Sequence, residues 1–333
     1  MSLIVAGAPG QDRPEYVFAL IELAQSRLPS RSPQRPCKRR RIASPPPPLA
    51  PPYLDTPVRQ LPDLPDFLLP LSEPTHAEPF VVRSAATDWE AAARWKDLEY
   101  LQKVGGGRGR VVPVEVGQDY TKAGWGQEIV AWDAFLRETF SHTAQEERHD
   151  YYLAQHSLLT QFPRLSADFP IPSLVYSQPA PLEDQYPDYE PPKSQDGWVM
   201  NAWLGKGGTV SQAHTDPYWN CYVQVVGSKW VWIAPPCVSV HMSAFGSSSQ
   251  PLGDLAEDGQ DCTTATEYMT NTSTIDVTLP IPKTSPSFTT FETHVRPHAQ
   301  QVVLGPGDLL VMPPGWWHAM KSLETSFSIS TWF

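Results

Sequence analysis

No apolar run in the 333-residue sequence approaches the roughly 20 residues needed to cross a bilayer, so no membrane partner is expected. The N-terminus, Met1-Ser2-Leu3-Ile4-Val5-Ala6-Gly7, has no basic segment and too short an apolar stretch for a secretory leader. Cysteine is scarce. Cys37, Cys221, Cys237 and Cys262 form no C-x-x-C pair and have no zinc-like spacing, which leaves free thiols in an intracellular protein as the expectation. Positive charge is also short: 25 Lys and Arg face 36 Asp and Glu, for a net charge of −11. A body of that sign is poorly suited to neutralising phosphates, so no direct nucleic-acid contact is expected. It suits a basic protein or peptide partner better. Oligomeric state is not legible.

Proline is in excess, at 37 residues, and 15 of them fall between residues 29 and 79. That density, with Pro45-Pro46-Pro47-Pro48 at its centre, predicts a disordered, Pro-rich linker. Lys38-Arg39-Arg40-Arg41 within it reads as a nuclear-import signal, with a merely solvated cluster in a cytoplasmic protein as the alternative. Before the linker, residues 1–28 hold one short amphipathic helix, with Val17, Leu20, Ile21, Ala24 and Leu28 on one face. Residues 80–333 form the ordered domain. Its first part, 80–197, begins with a strand around Phe80–Arg83 and a helix from Thr87 to Lys103. Arg110–Val116 alternates as a strand, 128–140 reads as helical, Tyr151–Ala154 as a strand and 178–197 as a polar loop.

Residues 198–333 are dominated by short β-branched and aromatic runs: Trp198–Leu204, Asn220–Val226, Lys229–Ala234, Gln301–Leu304, Leu309–Met312 and Ser326–Thr331. Strands at that spacing indicate a sandwich or barrel. The Ser/Thr-rich stretch 239–296 interrupts them as a long insertion between two core strands.

The sharpest chemical signal is His214-Thr215-Asp216, followed about a hundred residues later by Trp317-His318. Two histidines and one carboxylate on one face of an octahedral metal leave three positions open, enough for a bidentate 2-oxo acid and O2. H-x-D suits the end of a strand, where alternate side chains point to the same side. His318 must then arrive on a distant strand that closes beside them, after Pro313-Pro314-Gly315 re-aims the chain. An isolated H-x-D is common by chance. His241, His294 and His298 are competing ligands in principle, but they lie in the irregular insertion, a poor support for a rigid site. Lys229 adds a second signal. It shares a strand face with Val231 and Ile233, so it points towards something buried, where an unpaired ammonium is costly. The distal carboxylate of 2-oxoglutarate would relieve that cost; a lysine snorkelling at a strand edge is the alternative.

Asn201-Ala202-Trp203-Leu204-Gly205, Gly208-Thr209-Val210-Ser211, His214-Thr215-Asp216-Pro217, Asn220, Val223–Lys229 and Trp317-His318 together resemble the Jumonji-C oxygenases. Val112–Gly117 with Tyr120 and Trp125, and Tyr152-Leu153-Ala154-Gln155-His156, bring the resemblance closest to the small arginyl-hydroxylase-like branch, first described as histone lysine demethylases. The match runs from about residue 80 to the end. The resemblance implies a mainly β fold, a double-stranded β-helix (cupin-like jelly roll) with flanking helices, holding Fe(II) and 2-oxoglutarate. On that resemblance His214, Asp216 and His318 are the iron ligands and Lys229 the partner of the distal carboxylate. Tyr152, Ser211 and Asn220 are further donors to 2-oxoglutarate, and Trp203 lines the pocket. Glu115, Tyr120, Trp125 and Gln155 fall where that branch binds its substrate arginine.

The expected activity is therefore a 2-oxoglutarate-dependent protein hydroxylase acting on arginine, with no catalytic group beyond the metal centre. The alternatives are N-methyl-lysine demethylation by the same chemistry, a catalytically silent binding module, and a metal-binding cupin without 2-oxoglutarate. The insertion and the short N-terminal region depart from the family pattern, so the cleft wall and partner recognition are the features it predicts least well.

Overall fold

The computed structural model describes residues 20–21, 23–24, 47–51, 59–60, 62–63, 78–105, 109–117, 124–140, 150–177, 179, 189–245 and 270–333. The basic cluster Lys38–Arg41 and Tyr120 lie outside these residues. Among the described residues no helix is long and apolar enough to cross a membrane.

The described strands are β1 (Arg59–Gln60), β2 (Phe80–Val82), β3 (Val111–Val116), β4 (Gly126–Ala131), β5 (Tyr151–His156), β6 (Val199–Gly205), β7 (Val210–Thr215), β8 (Asn220–Val226), β9 (Lys229–Ala234), β10 (Gln300–Leu304), β11 (Leu309–Met312), β12 (Trp317–Ser322) and β13 (Ser326–Trp332). They form two sheets, one in the order β1-β10-β9-β12-β7 and the other in the order β2-β11-β8-β13-β6-β5-β3-β4. Within the stretch expected to be a linker, β1 adds in parallel to β10, Arg59 opposite Gln300.

Three apolar clusters explain the layering. Between the sheets lie Tyr222, Val231, Ile233, Val302, Leu310 and Met320, drawn from both. Outside the larger sheet, Trp95, Trp132, Phe135, Phe162, Val223 and Phe327 bury the helices α1 (Glu90–Arg94), α2 (Leu98–Val104), α3 (Trp132–Thr139), α4 (Leu158–Gln161) and α5 (Pro163–Asp168). Trp95 packs on Phe327 with ring centroids 4.5 Å apart. Outside the smaller sheet, Val238 just before the insertion and Met242, Ile275, Val277, Phe291 and Val295 within it cover Trp230, Trp232 and Trp317. Its helix α6 (Phe288–His294) places Phe291 against Trp232. Strands such as β8 and β9 are buried on both faces because each sheet is sandwiched, which is why they read as continuous apolar runs.

Two local expectations need correction. The helix expected from Thr87 to Lys103 is two helices: the first ends at Arg94 with Trp95 as its C-cap, and Asp97 caps the start of the second, accepting from the Glu99 backbone N–H. The helix expected over 128–140 begins only at Trp132; the residues before it form β4, paired with β3. Helical spacing of the apolar positions here is overridden by an available strand partner.

One ion-pair hub ties the helical layer together. Asp168, buried at the end of α5, accepts from Arg94 Nη1 at 2.7 Å, from Trp95 Nε1 at 3.1 Å and from the Tyr100 hydroxyl. Burial, and then the neighbouring carboxylate, push the Tyr100 phenol upward.

Candidate metal centre and its pocket

His214 and Asp216 are placed by β7. They are two residues apart at its end, so extended backbone turns both side chains the same way. β12 lies antiparallel beside β7 with His318 directly opposite His214. A register shift between His318 and Met320 marks a bulge next to His318, a common device for re-aiming a side chain. The connection is held from outside as well: the Gly315 N–H donates to the Asp216 carbonyl at 2.8 Å.

The three side chains converge, with ligand atoms all within 4.8 Å of one another. His318 Nε2 lies 3.6 Å from Asp216 Oδ2, and His214 Nε2 lies 3.9 Å from Asp216 Oδ1. Each imidazole makes its other contact to a main-chain carbonyl, His214 Nδ1 to Gln212 at 2.7 Å and His318 Nδ1 to Trp316 at 3.1 Å. Those carbonyls can only accept, so Nδ1 carries the proton and Nε2 presents its lone pair to the shared space. Burial, the largest cause, pulls the His318 pKa down to about 4, which keeps this imidazole neutral, the form that binds a metal. The donor set fits a divalent transition metal with open positions.

Trp203, Ser211, Asn220, Tyr222, Met320 and Ser330 line the same pocket as the triad. Trp203 is held by its indole N–H, which donates to Ser330 Oγ at 2.9 Å. The Asn220 carboxamide oxygen is buried without a partner among the described residues. Deeper along β9, Lys229 is 1% exposed. Its register partners are Leu304 and Ser322, four positions inward from the His318 rung. Its ammonium donates to the Tyr222 hydroxyl at 2.8 Å and lies over the rings of Tyr222 and Tyr152. No carboxylate among the described residues pairs with it, and burial lowers its pKa to about 7. Val231 and Ile233 share its interior face, as alternation requires.

Of the residues expected to contact 2-oxoglutarate, Trp203, Ser211 and Asn220 line the triad's pocket, while Lys229 meets Tyr152 and the pocket residue Tyr222 behind that lining. Tyr222 and Ser330 were not singled out by sequence. Tyr222 was within reach, because alternation from Asn220 puts it on the same face. Of the expected arginine-binding residues, Glu115 lies opposite both Tyr152 and Gln127 on β3. Trp125, two positions before Gln127, is 36% exposed. Gln155 is exposed, in a left-handed conformation (φ 49°), where a register shift interrupts the β5–β6 ladder. The competing histidines are elsewhere. His241 and His294 stack on each other with centroids 4.4 Å apart and join no three-ligand group among the described residues.

A two-sheet β-helix with a His-x-Asp…His cluster at its mouth has the form of a cupin with a candidate metal site. The cupin-like domain family matches residues 74–333. Curated relatives include Jumonji C domain-containing protein 5 of Drosophila melanogaster, 31% identical over 84% of this chain and 60% of that protein. Lysine-specific demethylase 8 of Xenopus tropicalis is 30% identical over 77% of this chain and 48% of its own length. Lysine-specific demethylase JMJ30 of Arabidopsis thaliana is 28% identical over 80% and 51%. The chain belongs to the cupin-like Jumonji-C family. It spans about half of the curated relatives it matches, three-fifths in the fly protein.

Proposed function

We propose that the chain is an Fe(II)- and 2-oxoglutarate-dependent protein hydroxylase acting on an arginine side chain. The observation that carries the reading is Lys229: a fully buried ammonium with no carboxylate partner among the described residues, bonded to the hydroxyl of Tyr222, which lines the pocket that holds the triad. A cupin that bound only a metal would have no use for that charge. A dicarboxylate reaching from the triad to Lys229 would satisfy both.

In this reading His214, Asp216 and His318 hold the iron through Nε2, Oδ and Nε2. When bound, Fe(II) with 2-oxoglutarate and O2 supplies the oxidation, giving succinate, CO2 and a hydroxylated C–H bond. Lys229 and the hydroxyls of Tyr222 and Tyr152 bind the distal carboxylate, Ser211 and Asn220 donate further along the co-substrate, and Trp203 closes one wall. The interior apolar residues exclude bulk water. No general base is required.

Arginine is favoured over methyl-lysine because Glu115 stands on the same sheet face as Tyr152, with Trp125 beyond Gln127 on the neighbouring strand. A guanidinium wants one carboxylate for its fork and flat rings for its faces. A methyl-lysine pocket needs aromatic walls and has less use for a carboxylate. Demethylation is the second reading, favoured by the names of the frog and Arabidopsis relatives. The substrate is a basic protein or peptide, and the Lys38–Arg41 cluster would direct the chain to the nucleus.

The test incubates matched arginine and methyl-lysine peptides with protein, Fe(II) and 2-oxoglutarate. A gain of about 16 Da on arginine peptides is expected, lost in Glu115→Ala while peptide-independent succinate formation persists. Formaldehyde from methyl-lysine peptides with arginine unchanged would reverse the choice.

A further inference from the structure

A second cavity of about 250 Å3 opens beside the pocket of the triad, and Glu78, Pro235, Pro297, His298, Gln300 and Trp316 line it. That volume is several times the roughly 30 Å3 a water occupies in the liquid, and short of the roughly 300–1,000 Å3 of a small-molecule site, so it suits one side chain. Trp316 and the two prolines give it apolar walls. The Gln300 Oε1 and the Trp316 Nε1 are buried behind its surface. The side-chain acceptors an occupant can reach are therefore the Glu78 carboxylate and the His298 imidazole, both on exposed residues. Among the described residues neither side chain has a hydrogen bond or an ion pair. The carboxylates towards the other end of β2, Asp63 and Asp308, are both paired with Arg83. Glu78 is the uncommitted charge at this edge.

Strand register fixes where the cavity sits. Glu78 stands two residues before β2, an edge of the larger sheet, and His298 two residues before β10 of the smaller one. Arg59 pairs with Gln300 and Asp63 bridges to Val81, so the two sheets close on each other here. His318 is directly opposite Ile233 on β9, and Ile233 directly opposite Gln300 on β10. Gln300 and His318 are thus two strand spacings apart, about 10 Å, or about three residues of extended chain. Trp316 joins the two sites, because its carbonyl accepts from His318 Nδ1 at 3.1 Å.

We propose that this cavity is a subsite for a lysine or arginine side chain of the substrate, a few residues from the one that reacts. The Glu78 carboxylate pairs with its charge, His298 accepts one of its N–H groups, and Trp316 with the prolines covers its aliphatic stem. A net charge of −11 draws any basic peptide from a distance, but that attraction does not tell one peptide position from the next. A single carboxylate at a fixed place beside the triad does. The subsite therefore sets which basic sequence is accepted, while Glu115, on β3 near the far edge of the larger sheet, selects the reacting residue. The inference rests on the reading that the substrate is a basic protein, but not on the reacting residue being arginine.

The experiment measures peptide binding by calorimetry to the full chain loaded with Zn(II) and 2-oxoglutarate. The probes are nonapeptides, acetylated and amidated at their ends, with arginine or trimethyl-lysine at the centre and alanine elsewhere. In each series a single lysine replaces each alanine in turn. Lysine near the third position on one side of the centre should tighten binding about three- to fivefold, the upper range for an exposed ion pair. Lysine elsewhere should give only a small, even gain that salt removes. Glu78→Gln should abolish the position-specific gain, leaving the affinity of the lysine-free peptides and peptide-independent succinate formation at the parental level. Glu78→Lys should transfer the gain to a glutamate at the same position. Both variants change an exposed side chain, so the core is not disturbed. An even gain at every position, or a preferred position that survives Glu78→Gln, would overturn the subsite; hydroxylation of arginine in those same peptides would leave the arginine reading intact. A preferred position lost in Glu78→Gln, with arginine unoxidised in every peptide, would support the subsite and sink the arginine reading.

Discussion

Replacing Lys229 with Met should make the protein more stable and its co-substrate binding weaker. Methionine keeps the apolar stem and removes the charge. Burial holds the folded-state lysine at about 7 against an ordinary 10.5, a difference worth up to about 5 kcal/mol. The sign follows from proton counting. Between pH 7 and 10.5 the unfolded chain holds this proton and the folded chain has released it, so stability rises with pH. Below pH 7 both states are charged, and the folded one bears the whole penalty. In urea unfolding of metal-free protein, the parent should therefore gain stability from about pH 7 to about pH 9.5. Lys229→Met should lack that gain and exceed the parent by several kcal/mol at about pH 6.5, since an apolar replacement is often stabilising where a buried charge stood. All other titrating groups are common to both proteins, so the difference isolates this one. Binding should go the other way. Losing the counter-charge for a buried carboxylate costs about 2–5 kcal/mol, so 2-oxoglutarate affinity should fall by at least about tenfold, with metal affinity nearly unchanged. Identical pH profiles for the two proteins, or a variant that loses stability and both ligands together, would refute the reasoning.

Other consequences can be checked more briefly. His214→Ala and Asp216→Ala should abolish Fe(II) binding in anaerobic titration and all succinate release, while the circular dichroism spectrum stays that of the parent; turnover at the parental rate would remove the triad assignment. Asp168→Ala strips a buried acceptor from Arg94, Trp95 and Tyr100, and should cost about 3–5 kcal/mol in urea unfolding without changing 2-oxoglutarate affinity. Replacing Lys38, Arg39, Arg40 and Arg41 together with Ala should move a tagged chain from nucleus to cytoplasm; an unchanged distribution would end the import reading. Gly227→Ala, in the β8–β9 turn at φ 69°, would bring its Cβ within 2.1 Å of the Thr325 carbonyl oxygen, and should lower soluble yield sharply.

Period-two patterns made much of this molecule readable. Lys229 among Val231 and Ile233 already pointed inward, and His214 with Asp216 already shared a side. What local pattern cannot carry is which strands meet. That β12 lies between β9 and β7, and so sets His318 opposite His214, depends on pairing across about a hundred residues. Nor did local pattern separate β4 from the helix it precedes, because its pairing with β3 outweighs intrinsic preference. Tyr222 was missed for a plainer reason: a tyrosine in an apolar run looks like core until a buried lysine is found beneath its hydroxyl. Glu78 carries no motif. Only the two sheets in place bring it to one cavity with His298 and Trp316.

The insertion between Ala234 and Gln300 joins two strands that are immediate antiparallel neighbours, a junction that a tight turn could make. In chain entropy the extra length is cheap. Closing about 65 residues instead of about four costs only about 2.5 kcal/mol more, because the penalty grows with the logarithm of length. Phe291, Val295, Val238 and Met242, buried on the outer face of the smaller sheet, are enough to offset it. That face is turned away from the pocket of His214, Asp216 and His318. The chain can therefore lengthen, shorten or re-sequence this segment over evolutionary time while β9 and β10 keep their register, provided the few apolar anchors remain. The segment also reaches round to bridge Thr272 to His214. Change at that contact, made to the main chain of His214, alters the rim of the mouth directly, which makes the insertion a place where substrate preference can drift while His214, Asp216 and His318 themselves are kept.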